Sequence, residues 1–147
     1  MTSISRQGLI ALGAALSIFL SCAAHAEFAP TAAERANLKV VAAFMSSWNT
    51  PDAAVAHLAD QASVRMVEDQ PAAVGPAAVA SALKSFLVPG VTVTVEVLES
   101  TVHGPVVLNT RIDTVKTEGK PDQIYPVTGV FVVKNGKIVE WADYLLN

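Results

Sequence analysis

The 147-residue chain has a single cysteine, Cys22, so no intrachain disulfide can brace it and no thiolate pair can hold a metal. Basic residues are few and scattered: ten Lys and Arg stand against thirteen Asp and Glu, a formal charge of −3. With no basic cluster and no Arg interleaved with aromatics, nucleic acid is not expected as a partner. No Gly-rich phosphate loop occurs, since Gly75 and Gly136 are lone turn residues. His57 and His103 lack a second His or a carboxylate at metal-ligand spacing, so neither metal nor cofactor is expected. Ser46, Ser47 and Ser81 fall in helical segments without a neighbouring base, which leaves a hydrolytic triad unsupported. The apolar run Gly8 to Leu20 is shorter than the roughly 18 residues that a membrane-spanning helix requires.

That run does have a reading. Arg6 precedes it, and small residues ending in Ala24-His25-Ala26 follow it, the order of a secretory signal peptide cleaved after Ala26. An uncleaved anchor and a lipid-modified Cys22 are the alternatives, and Phe19-Leu20-Ser21 is a poor match for the second. Residues 1–26 are therefore expected to direct export, with the protein periplasmic or secreted. Residues 27–147 are expected to form one domain with no membrane span. Loss of Arg6 leaves nine basic against thirteen acidic residues, a formal charge of −4.

Within that domain, Thr31-Ala32-Ala33-Glu34 has the form of a capping box, and Leu38, Val41, Met45 and Trp48 recur at helical spacing beside Ala42. Thr50-Pro51-Asp52 predicts a second, short helix through Leu58, with the hydroxyl as its cap. Ser63 to Val67 can form a short strand, and Gly75-Pro76 opens a third helix carrying Val79, Leu83 and Phe86. From Val91 the period becomes two, predicting strands over Val91–Val97, Val106–Val115, Ile124–Val133 and Lys137–Leu146. Helices followed by a β-meander imply an α+β fold, its helices on one face of a curved antiparallel sheet.

The turns suggest where charge is buried. Asn135-Gly136 is a strong two-residue hairpin signal. A regular ladder from it sets Val132 opposite Val139, Val130 opposite Trp141 and Thr128 opposite Asp143. Val130, Val132, Val139, Trp141 and Leu145 then make an apolar face with Asp143 in its middle, opposite a face of Phe131, Ile138, Glu140 and Tyr144. A carboxylate so placed needs a partner. Arg111 and Asp113, two apart on the preceding strand, share a face with each other. A three-residue loop at His103-Gly104-Pro105 would set Val97 and Val95 opposite them and bring both charges to the valine face. A loop of two or four residues would align them instead with Glu96 and Thr94 as a solvated ladder. The residues alone leave this open.

Arg111-Ile112-Asp113, followed by Gly129 to Gly136 and Lys137-Ile138-Val139-Glu140-Trp141-Ala142-Asp143-Tyr144, resembles the limonene-1,2-epoxide hydrolase family of the NTF2-like (SnoaL-like) superfamily. The ending is common to many NTF2-like proteins, while Arg-x-Asp with the late Asp is the sharper sign. The resemblance implies a cone with a deep pocket, catalytic residues Arg111, Asp113 and Asp143, and a homodimer. Asp143 would be the general base on water, Asp113 the general acid on the epoxide oxygen, and Arg111 the bridge between them. Members of the family position the water with a Tyr-x-Asn pair, and the matching stretch Ser63-Val64-Arg65-Met66-Val67 contains neither residue; Ser63, Glu68 and Asn109 are the candidates to hold it instead. Three functions are consistent with this reading. They are cofactor-independent hydrolysis of a small apolar epoxide, binding of a small hydrophobic molecule without turnover, and a related isomerase, cyclase or dehydratase.

Overall fold

A computed structural model describes residues 29–146. The signal peptide expected over 1–26 lies outside these residues. Helix α1 (Ala32–Ser46) opens on the capping box: Thr31 Oγ1 accepts from the Glu34 N–H at 3.2 Å, and Glu34 Oε2 accepts from the Thr31 N–H at 2.8 Å. Its buried stripe is Val41, Phe44 and Met45, with Trp48 just past its end; Ala42 faces solvent instead. Helix α2 (Pro51–Ala54) is one turn extended by a 3-10 turn, Val55–His57, so it stops before Leu58. Pro51 starts it, but the Thr50 side chain makes no capping bond.

Then come β1 (Leu58–Arg65), β2 (Ala73–Val74), α3 (Gly75–Phe86), β3 (Val91–His103), β4 (Val106–Thr117), β5 (Gln123–Lys134) and β6 (Lys137–Leu145). They form a curved α+β fold with one six-stranded sheet ordered β2-β1-β6-β5-β4-β3. Strand β2, a two-residue partner of β1, is additional to the expected set. The β1–β6 pair is parallel, the others antiparallel. Phe44, Trp48, Phe131 and Trp141 meet between α1 and the concave face of the sheet, and Val64, Val79, Leu83, Val107, Val133 and Ile138 complete the core. Among the described residues no helix is long and apolar enough to cross a membrane.

Both hairpins depart from a regular ladder. From Asn135-Gly136 the pairing starts as expected, Lys134 with Lys137, but it then shifts between Val133 and Val132. Val132 pairs with Glu140, Phe131 with Trp141 and Gly129 with Asp143, so the expected pairs Val132–Val139, Val130–Trp141 and Thr128–Asp143 do not form. One extra residue in β6 has reversed its parity, as a β-bulge must. The core face is therefore Val127, Phe131, Val133, Ile138 and Trp141, while Val130 and Val132 are on the other side and only half-buried. At the other hairpin the loop has two residues, Gly104 and Pro105, with His103 opposite Val106. A second shift at Leu98 then places Val97 opposite Arg111 and Val95 opposite Asp113. A short loop and a bulge together thus produce the pairing that a three-residue loop alone would have given.

Glu34 also ties α1 to this hairpin. Its Oε1 accepts from the Gly104 N–H at 2.8 Å, and Asn37 Nδ2 donates to the Gly104 carbonyl at 2.9 Å. The Gly104 and Thr31 amides lower the Glu34 pKa to about 2 from its ordinary 4.5. A carboxylate lowered in this way stabilises the fold above its unfolded pKa and loses that contribution as pH falls through the folded one. Glu34→Gln should lower the melting temperature at pH 7, and its deficit against the parent should shrink as pH falls from 4.5 toward 2 in paired thermal melts.

Candidate active site

Four consecutive inward positions of β4 are Val107, Asn109, Arg111 and Asp113, all buried because side chains two apart share a face. Arg111 is 1% exposed, Asp113 7% and, on β6, Asp143 5%. An isolated charge there would lose hydration worth several kcal/mol. All three guanidinium nitrogens are engaged. Nε donates to both oxygens of Asp113 at 2.9 and 3.1 Å, Nη2 to Asp143 Oδ2 at 2.5 Å, and Nη1 to Asn109 Oδ1 at 3.1 Å. The indole of Trp48 lies against the guanidinium, 5.4 Å from Cζ to ring centroid.

Gly129 makes room for this fork. It stands in the ladder between Asn109 on β4 and Asp143 on β6. A Cβ there would lie 2.5 Å from Arg111 Nη1, 2.7 Å from Phe131 Cε2 and 2.8 Å from Asn109 Oδ1. A glycine inside a strand often marks a close approach of this kind.

The two carboxylates are held differently. Asp143 accepts from two donors, Arg111 at Oδ2 and the Trp141 indole N–H at Oδ1, 2.7 Å away. Asp113 shares only the Arg111 Nε–H between its oxygens. Burial pushes both pKa values up against the pull of Arg111. Burial alone would lower that of Arg111, but the two carboxylates raise it overall, so it stays a cation. The donors to the charged form thus differ, two on Asp143 against one on Asp113, while burial raises both groups and the Asp113 charge adds to the rise at Asp143.

Asp113 and Asp143 open onto a cavity of about 670 Å³, within the usual range for small-molecule sites. Trp48, Met66, Leu83, Val115 and Val127 line its apolar wall, with Phe86 and Tyr125 at more exposed positions. The structure therefore brings together the three residues expected from the sequence. It does not bring in the three water-holding candidates. Ser63 alternates with buried Ala62 and Val64 and faces away, Glu68 is exposed, and Asn109, its Oδ1 taken by Arg111 and its Nδ2 buried without a partner, does not line the cavity. The inward positions at that end of β1 are instead Val64, in the core, and Met66, on the cavity wall. Sequence reading also missed Trp141 as a donor to Asp143, although two residues apart on a strand is a same-face spacing. It missed Gly129 too, despite a glycine standing amid β-branched residues.

Residues 35–146 match the family model of the limonene-1,2-epoxide hydrolase catalytic domain. No curated protein matches the chain. Among solved structures, the chain is similar to an LEH-like epoxide hydrolase of M. tuberculosis, with 25% identity and a TM-score of 0.68 over 77% of this chain and 84% of that one. It is also similar in fold to a protein designated a SnoaL-like polyketide cyclase from Jannaschia sp. CCS1, with 17% identity and a TM-score of 0.68 over 80% and 90% of the two chains. A protein of ketosteroid isomerase-like fold from Catenulispora acidiphila, at 15% identity, has a TM-score of 0.64 over 72% and 84%.

Gly129→Ala should destabilise the fold by about 2–3 kcal/mol through overpacking against Arg111 and Phe131. Chemical denaturation should record a lower midpoint with an unchanged slope.

Proposed function

The chain belongs to the limonene-1,2-epoxide hydrolase catalytic domain family, and from that premise we propose that it opens a small apolar epoxide to a diol with Asp113, Arg111 and Asp143. The reading is carried by one observation: Arg111 is buried between two carboxylates that line a largely apolar cavity. Asp143, ionised and held by two donors, takes a proton from water. The water oxygen bonds to one epoxide carbon as that carbon's bond to the ring oxygen breaks, and Asp113 delivers its proton to the departing oxygen. Acid and base acting together typically contribute about 10²–10⁴-fold each. Two carboxylates this close titrate as a coupled pair in which one can keep a proton while the other is ionised, and the smaller number of donors on Asp113 favours it as the one that keeps the proton. The guest is a neutral, mainly apolar molecule, because among the described residues the ionic groups lining the cavity are the two catalytic carboxylates, and Gln70, Ser85, Gln123 and Tyr125 add only neutral polar atoms. Export of residues 27–147 and pairing into a homodimer belong to the same proposal.

A second reading is favoured by Val64 and Met66. They occupy the inward positions of the stretch where the family has Tyr-x-Asn, so no polar pair on that wall holds a water. A misplaced nucleophile costs much of the rate. In this reading the cavity holds a small hydrophobic molecule without turnover, or uses the same carboxylates for an isomerisation or cyclisation.

Turnover of an epoxide panel, including limonene 1,2-oxide and cyclohexene oxide, separates the two. Asp143→Asn, Asp113→Asn and Arg111→Gln should each lower kcat/KM by roughly 10²-fold or more, with the label from ¹⁸O-water found in the diol within a single turnover. Absence of diol from every epoxide would leave binding or another reaction.

A further inference from the structure

The Trp141 indole belongs to neither the cavity wall nor the solvent. It is fully buried and clamped on several sides. Phe131 stacks on it with centroids 5.9 Å apart and planes 4° from parallel, Phe44 meets it edge-on at 5.1 Å, and Trp48 tilts against it at 5.1 Å. Such packing leaves the ring a single orientation. In that orientation its only polar atom, Nε1, donates to Asp143 Oδ1 at 2.7 Å. We propose that Trp141 is a positioning residue for the reaction: its clamped N–H fixes the plane of the Asp143 carboxylate and holds it as the anion, so that the base is ready when the guest arrives.

The donor acts against the surroundings of Asp143. Burial favours the neutral acid, while Arg111 and then Trp141 pull the other way. The charged or titratable groups that face Asp143 are Arg111 and Asp113 from β4, with Tyr125 of β5 on the same cavity. Val64 of β1, Met66 just after it, Trp48 just past α1, and Leu83 and Phe86 of α3 complete the surroundings, and none of them titrates. Among the described residues Trp141 is thus the side-chain donor to the base besides Arg111, and it reaches Oδ1 while Arg111 occupies Oδ2.

This inference rests on the proposed hydrolysis for its kinetic test but not for its structural one. Trp141→Phe keeps a ring against Phe131 and removes the N–H. Replacement by benzothienylalanine keeps the whole bicyclic shape and is used if the Phe variant fails to fold. Each should move the acid limb of the kcat/KM–pH profile up by about one unit, roughly tenfold at a pH on the limb, with the high-pH plateau within about threefold of the parent. An equal loss at every pH, or an unmoved limb, would overturn the proposal. If no epoxide is turned over, melting temperatures carry the test. A carboxylate whose folded pKa is raised favours the fold below its unfolded pKa, and that contribution is lost as pH rises through the folded one. The variants should therefore lose more stability relative to the parent at pH 7 than at pH 4, and Asp143→Asn should abolish that difference. A deficit independent of pH would mean that Trp141 only packs.

Discussion

A guanidinium enclosed in a sheet is the constraint to which the rest of this structure answers. Arg111 cannot shed its charge, so the fold must surround it with acceptors, and it does so with Asp113, Asp143 and Asn109. Removing one partner of a buried pair typically costs about 3–5 kcal/mol, whereas the intact set need contribute little. The cluster therefore penalises any arrangement that separates β4 from β6. The bare backbone of Gly129 in the strand between them allows the side chain to reach across.

The same enclosure creates the chemical asymmetry. Two carboxylates bound to one cation would be near equivalents if their other contacts matched. They differ because β6 supplies an indole N–H to Asp143 and, among the described residues, nothing comparable reaches Asp113. Both line one cavity between apolar walls, where low polarity strengthens each electrostatic contact. Trp48, just past α1, and Leu83 and Phe86 of α3 contribute mainly apolar bulk there. A cavity so built favours a guest with little polarity of its own.

Two irregularities give the sheet its working geometry. Without the shift at Val139, Ile138 and Trp141 would lie on opposite faces and the aromatic cluster could not close around the indole. Without the one at Leu98, Val95 and Val97 would not stand opposite Asp113 and Arg111. Each bulge adds one residue and thereby exchanges inside for outside along the rest of the strand.

Local pattern carried a good deal. The capping box, the proline starts of α2 and α3, the alternation from Val91 onward and the Asn135-Gly136 turn all depend on neighbours a few residues apart, and each is where the sequence places it. The i, i+2 spacing of Arg111 with Asp113, and of Trp141 with Asp143, likewise guarantees a shared face on any strand. Which face that is, and whether the two pairs meet, are counts accumulated across whole hairpins, and one bulged residue reverses the answer. Ladder parity has no local signature in the side chains of Leu98 or Val139. Only the packed sheet, where burying Phe131 and Trp141 outweighs a regular ladder, decides that the charges turn inward and that Met66 takes the wall beside them while Val64 enters the core.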